Sequence, residues 1–119
     1  MNKPVRVILI GDADLAYKRL NWVVGEQIKE GKESTEEMQL LNSIKQKINF
    51  IKANPFYGDN IKKEQIPKEY NVQNLWRTEL SRFWRMLYTI KGDQIEIICF
   101  VLDIIDHPTY DRKFGYKKK

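Results

Sequence analysis

The second half of this 119-residue chain carries the block Leu75-Trp76-Arg77-Thr78-Glu79-Leu80-Ser81-Arg82-Phe83-Trp84-Arg85-Met86-Leu87-Tyr88. It sets three arginines and a glutamate among aromatic and aliphatic residues. A guanidinium is a planar, permanently charged fork that matches phosphate oxygens. Strand alternation puts Arg77, Glu79 and Leu75 on one face of an extended segment, and Trp76, Thr78 and Leu80 on the other. In the following segment Arg85 shares a face with Phe83 and Leu87, and Arg82 with Trp84, Met86 and Tyr88. Both faces mix charged and apolar groups, so alternation alone does not assign the core side. A tight hairpin between the segments brings Arg77, Glu79 and Arg85 within reach of one ligand. The pattern points to a phosphate-handling surface, with RNA as the first candidate partner.

Cleavage of RNA by its own 2′-hydroxyl needs a base for the hydroxyl proton, an acid for the leaving 5′-oxygen and a cation for the charge on phosphorus. Glu79 is the candidate base, and Arg77 and Arg85 are candidates to stabilise the phosphorane. His107 or Tyr110 can serve as the acid or as a stacking platform for a base. Arg82, Lys113 and the tail Lys117-Lys118-Lys119 are candidate RNA-binding cations through phosphate attraction. No cluster of metal ligands is evident, so the expected reaction uses neither metal nor cofactor. Each residue also has a plainer reading. Arg77 and Glu79 can form a surface ion pair worth about 0–1 kcal/mol. Arg82 beside a turn can be a solvated charge, and His107 before a proline a helix-entry residue. Trp76, Trp84 and Phe83 can be core.

The elements that must position these groups follow from patterning. Residues 5–10 are β-branched and apolar and read as a strand. Asp12 or Asp14 can cap a helix running to about Glu30, with Leu15, Leu20, Val24 and Ile28 at helical spacing and Gly31 as the stop. A second helix starts near Ser34, with Glu37 at capping-box spacing. Met38, Leu41, Ile44, Ile48 and Ile51 form its stripe, and Asn54-Pro55 ends it. The short link predicts a helical hairpin. Residues 54–70 read as a loop. Three strands are expected at about 72–80, 82–90 and 94–105, with Ser81 as a tight turn and Lys91-Gly92-Asp93 as a hairpin turn. The last strand is apolar on both faces, as a central strand is. Pro108 can open a short terminal helix. The expected order is β-α-α-β-β-β in a single α+β domain spanning 1–119.

The formal charge of +5 favours polyanions or an acidic protein partner. One cysteine, Cys99, allows no internal disulfide and suits a reducing cytoplasm. No signal peptide is visible, and the longest apolar run, at 95–105, is far short of the roughly 20 residues of a membrane helix. A cytoplasmic protein without a membrane partner is expected.

At these residues the chain resembles the RelE/ParE superfamily of toxins from toxin–antitoxin pairs. The element order matches, as does the pairing of Trp76-Arg77-Thr78-Glu79-Leu80 with Trp84-Arg85-Met86-Leu87-Tyr88. The ending Asp106-His107-Pro108-Thr109-Tyr110-Asp111-Arg112-Lys113-Phe114 is similar to that family's His-x-x-x-Tyr or His-x-x-Tyr tail. The resemblance covers nearly the whole chain. It implies a RelE-like helical hairpin on a small, mainly antiparallel sheet. It further implies a ribosome-dependent mRNA endoribonuclease that inhibits translation, neutralised by a cognate antitoxin with which it forms a hetero-oligomer. Arg85 then matches the strand arginine of the RelE branch, Arg77 its basic residue, Glu79 the acid of some members and Tyr110 the C-terminal tyrosine. Where that branch often has a second arginine, this chain has Leu102-Asp103-Ile104-Ile105-Asp106, and His107 is left to take over. Two other outcomes stand beside the nuclease: a ParE-like toxin directed at gyrase, and a degenerate, inactive binding module.

Overall fold

The computed structural model describes residues 3–115. Val5–Leu9 forms β1, Gly11–Lys29 α1, Glu36–Ala53 α2, Asp59–Asn60 β2, Trp76–Glu79 β3, Arg85–Gly92 β4, Ile97–Ile105 β5 and His107–Phe114 α3. The five strands lie in the order β1-β5-β4-β3-β2; β1 runs parallel to β5 and the other pairs are antiparallel. The architecture is α+β, as the patterning predicts.

The helix boundaries differ from expectation in their caps. Ile10 precedes α1 without a side-chain cap, and Asp12 and Asp14 lie in its first turn, where carboxylates favour the positive end of the helix dipole. Gly31, at φ +83°, supplies the left-handed residue beyond the helix end. The α2 cap is Thr35 rather than Ser34: its hydroxyl accepts from the Met38 amide at 3.1 Å. The stripe of α2 is mostly the predicted one, with Leu41, Ile44 and Ile51 buried, but Leu40, outside that pattern, is buried too. Of the expected α1 face Val24 is buried, whereas Leu15 and Ile28 are exposed.

Two strand predictions need correction. The strand at 72–80 shortens to Trp76–Glu79, because the Asn74 side chain takes the place of a ladder partner. Its amide accepts from the Ile90 N–H at 2.8 Å and donates to the Ile90 carbonyl at 3.0 Å. The 54–70 loop contains β2, whose Asp-Asn sequence is poorly suited to strands. Ser81–Phe83 is a single turn rather than a minimal hairpin, with Arg82 and Phe83 both left-handed at φ 58° and 64°. The β4–β5 turn falls later than Lys91-Gly92-Asp93. Gly92 pairs with Ile97, and the Asp93 carboxylate accepts from the Ile95 and Glu96 amides.

A register shift sets the two faces of the sheet. Tyr88 pairs with Val101, whereas Leu87 pairs with Asp103, so Leu102 is the extra residue of a β-bulge. Before the bulge Cys99 and Val101 face the helices. After it Ile104 does, while Asp103 and Ile105 turn to the opposite face. Met86, Tyr88, Cys99, Val101 and Ile104 therefore pack with Leu40, Ile44 and Ile51 of α2 and with Ala13 of α1. A second cluster on the opposite face joins Leu75, Leu87 and Ile105 to Ile61 and to Tyr110 of α3.

Tyr88 ties the sheet to the loop after α2. Its hydroxyl donates to the Pro55 carbonyl at 2.8 Å and accepts from the Gly58 amide at 3.0 Å. Gly58 has to be glycine, since a Cβ there would lie 2.7 Å from the Arg77 carbonyl oxygen. Tyr88→Phe leaves a carbonyl and an amide unpaired and is expected to lose about 1–3 kcal/mol of stability in urea denaturation; an unchanged midpoint would show that the loop is held by other contacts.

Burial pushes the Tyr88 phenol from 10.0 up to about 12 and the Cys99 thiol from 9.0 up to about 11. The unfolded chain therefore loses these protons first as pH rises. Stability is fully present below about pH 9 and is expected to fall across roughly pH 9–12. Urea midpoints recorded through that window check the sign, and a midpoint that rises would refute it.

Candidate functional site

β3 and β4 place Glu79 directly opposite Arg85 and Arg77 opposite Leu87, so Arg77, Glu79 and Arg85 share one face. This is the face that α3 crosses. The Asp106 carboxylate caps that helix by accepting from the Thr109 amide at 3.0 Å. These hydrogen bonds hold its carboxyl below the usual carboxylate range. His107 and Pro108 follow in the first turn, and Tyr110, 2% exposed, is carried under the two arginines.

The guanidinium carbons of Arg85 and Arg77 stand 4.7 and 5.7 Å from the centre of the Tyr110 ring. Such cation–π contacts contribute on the order of 0.5–2 kcal/mol each, most when desolvated. Arg77 also donates to the Tyr110 hydroxyl at 3.0 Å and pairs with Asp59 of β2 at 3.1 Å. Partial burial pulls the Arg77 pKa down, but the hydrogen bonds to Tyr110 and Asp59 outweigh it, and the net shift is upward.

Arg85, with 12% of its side chain exposed, donates through one nitrogen to the Phe83 carbonyl at 2.9 Å and meets His107 Nδ1 at 3.2 Å. Its other terminal nitrogen lies 3.7 Å from Glu79. With an arginine N–H directed at Nδ1, the ring proton of His107 belongs on Nε2, which faces Asp111 at 3.2 Å. The Nε atoms of Arg77 and Arg85 are buried without a hydrogen-bond partner among the described residues. Glu79 and His107 thus flank Arg85 from two elements, and both are exposed to solvent.

Two candidate RNA-binding cations lie elsewhere. Arg82 is directed to α2, reaching Gln39 at 3.4 Å and Glu36 at 4.0 Å, because its left-handed backbone turns it away from Arg85. Lys113 is held by two carboxylates, Glu69 and the buried Asp103, the latter at 3.3 Å. Burial would lower its pKa, but these two acids raise it. Tyr70 donates to Asp103 at 2.7 Å, and its own pKa is raised, first by burial and then by that bond. Lys117, Lys118 and Lys119 lie outside the described residues.

The two acids of the 102–106 segment are both absorbed structurally: Asp103 by Lys113 and Tyr70, Asp106 as the cap of α3. Sequence reasoning missed Asp59 and Asp111, the partners of Arg77 and His107. It also offered Phe83 as core, whereas the side chain is 73% exposed with its ring 6.5 Å from that of His107. Bulky residues at positive φ are strained and concentrate at functional sites. No simple periodicity announces such a residue. Among the described residues no three His, Cys, Asp or Glu side chains converge in a group suited to a metal, and no helix is long and apolar enough to cross a membrane.

No family model and no curated protein matches the sequence. Among solved structures the chain is similar to the YoeB/ParE toxin from Agrobacterium tumefaciens, with a TM-score of 0.58 at 13% identity, over 86% of this chain and 98% of that one. At that identity the likeness shows the fold alone, and it agrees with the expected helical hairpin on a mainly antiparallel sheet.

The placement of Lys113 carries its own test. Lys113→Ala strands Asp103 with Tyr70 alone and is expected to destabilise the protein by about 2–4 kcal/mol, somewhat under a fully buried pair because Lys113 retains some solvent. Adding Asp103→Asn should recover part of the loss. A urea midpoint untouched by Lys113→Ala would return this lysine to the pool of free surface cations.

Proposed function

We propose that the chain is the toxin of a toxin–antitoxin pair and acts as an mRNA endoribonuclease on the ribosome. The observation that supports this reading most is the meeting of two guanidinium groups with Glu79 and His107 on one sheet face. The fold shared with a YoeB/ParE toxin agrees with it.

On this reading Glu79 accepts the proton of the 2′-hydroxyl as the 2′-oxygen bonds to phosphorus. His107, carrying a proton on both ring nitrogens once Arg85 has turned from Nδ1 to the phosphate, gives its Nε2 proton to the departing 5′-oxygen as the phosphorus–oxygen bond breaks and is left as the neutral ring. The products are a 2′,3′-cyclic phosphate and a free 5′-hydroxyl. Arg85, between the two, holds the charge that builds on the non-bridging oxygens. Tyr110 is a positioning residue, since it touches both arginines and is itself covered. Arg77 adds charge from behind and is held in register by Asp59. Phe83 offers an exposed ring beside His107 for a base to stack on.

The partner is a cognate antitoxin. A net charge of +5 suits an acidic one. An apolar groove of about 370 Å³ between α1, α2 and Trp84 is a concave surface of the kind an amphipathic segment fills.

A second reading has its own support. Both arginines already have acidic partners, and Arg85 is nearly covered, as suits a binding module without nuclease activity.

Induced expression with primer extension on cellular mRNA separates these readings. The nuclease gives growth arrest with cuts inside reading frames. Arg85→Ala or His107→Ala should lower single-turnover cleavage on purified ribosomes by about 10²–10³-fold, with Tyr110→Phe nearer tenfold. Arrest with intact mRNA and damaged DNA would point to gyrase instead. Expression without arrest, and no cleavage on ribosomes, would favour the inactive module.

A further inference from the structure

The loop that follows α2 presents aromatic rings to solvent although it is firmly held. Phe56 is 60% exposed, Tyr57 40% and Phe50, at the end of α2, 39%. They form two ring pairs flanking one turn. Phe50 and Tyr57 have centroids 5.2 Å apart, and Phe56 lies 5.4 Å from Trp76. Lys47 stands over the first pair, with its ammonium 5.6 Å from the Phe50 ring and 5.5 Å from the Tyr57 ring, and donates to the Tyr57 hydroxyl at 3.2 Å.

Flexibility does not explain the exposure. The Asn54 side chain accepts from the Phe56 amide at 3.1 Å, and its carbonyl accepts from the Tyr57 amide at 2.9 Å. The buried Tyr88 hydroxyl joins Pro55 to Gly58 across the base of the turn. Unclamped, Phe56 and Tyr57 would have more freedom to fold against the sheet.

Along the sequence the charge of this segment is one-sided. Between Gln46 and Lys63 the chain carries four lysines, Lys47, Lys52, Lys62 and Lys63, and a single acid, Asp59. That acid is paired with Arg77. Exposed π-faces interleaved with lysines form the combination that holds single-stranded nucleic acid: bases stack on rings, and phosphates lie near cations. An acidic peptide would use the lysines but has less to gain from exposed π-faces, which the two pairs present at tilts of 45° and 58°.

We infer that the 50–57 aromatic platform with Lys47 binds single-stranded nucleic acid, separately from the Arg85 face. Trp76, on which Phe56 rests, packs against the helix-side core, whereas Arg77 and Arg85 occupy the opposite face. This binding requires no cleavage and does not depend on the nuclease reading.

The test uses the full chain carrying Arg85→Ala, so that loss of nuclease chemistry cannot be mistaken for loss of the platform. Fluorescence anisotropy is recorded with labelled oligouridine and oligothymidine of about 12 nucleotides, within the span of known single-strand sites. Phe56→Ala and Tyr57→Ala are each expected to weaken binding by about 5- to 150-fold, the range of one lost stacking contact. Phe56→Leu keeps apolar cover over Trp76 and should weaken binding nearly as much, which distinguishes stacking from a fold defect. Lys47→Gln should reduce the salt slope by about 0.7, the share of one phosphate contact. RNA and DNA binding alike supports a base-and-phosphate platform, and RNA alone supports one that also reads the 2′-hydroxyl. No binding, affinities unmoved by the aromatic variants, or capture of an acidic peptide in place of the oligonucleotides would overturn the inference.

Discussion

The site depends on one buried phenol ring set under two guanidinium groups. Arg77 and Arg85 repel each other, and neither would hold its position on a bare sheet surface. The Tyr110 ring gives both a negative face to lie against, and its hydroxyl takes an N–H from Arg77. Asp59 and Glu79 divide the remaining charge. Whatever holds Tyr110 therefore holds the site. Phe114 stacks on it at 4.2 Å from within the same helix, and Leu75, Leu87 and Ile105 pack around it. Asp106 sets where the helix begins, and the Lys113–Asp103 pair fastens its far end to β5.

The bulge at Leu102 makes this arrangement possible. With unbroken alternation, Asp103 and Ile105 would follow Cys99 and Val101 into the helix-side core, and an acid would be buried there. One extra residue reverses the faces. Asp103 then meets Lys113 and Tyr70, Ile105 joins the cluster under Tyr110, and Ile104 fills the core position. The same local feature serves packing and site together.

The helices, the long strands and their order could be read from the sequence because each rests on a periodic pattern longer than a few residues. The α2 stripe and the apolar β5 are examples. The convergence of Arg77, Glu79 and Arg85 could also be read, since hairpin pairing and a period of two follow from local rules. What escaped depends on contacts between distant segments. Nothing about the Asp59-Asn60 dipeptide suggests a strand; it is one because β3 offers an edge. Arg82 was grouped with the arginines by composition, yet two consecutive left-handed residues turn it toward α2. Lys113 resembles part of a basic tail until Asp103 and Glu69, far off in sequence, are seen to hold it. Phe83 looks apolar and therefore internal, and its strained turn leaves it in solvent.

The arrangement as it stands is closed around Arg85 and open at Glu79 and His107. A phosphate that reaches this face has to compete with Glu79 and Asp59 for the guanidinium groups, and the two buried Nε–H groups, unpaired among the described residues, are additional donors that a small rotation of either side chain would turn toward it. The most direct test follows the arginine Nε–H signals by ¹H–¹⁵N NMR while an RNA with a 2′-deoxy group at the cleavage position is added. A shared phosphate site predicts that the Arg77 and Arg85 signals shift together along one binding curve. Signals that stay fixed while RNA binds elsewhere on the protein would contradict it.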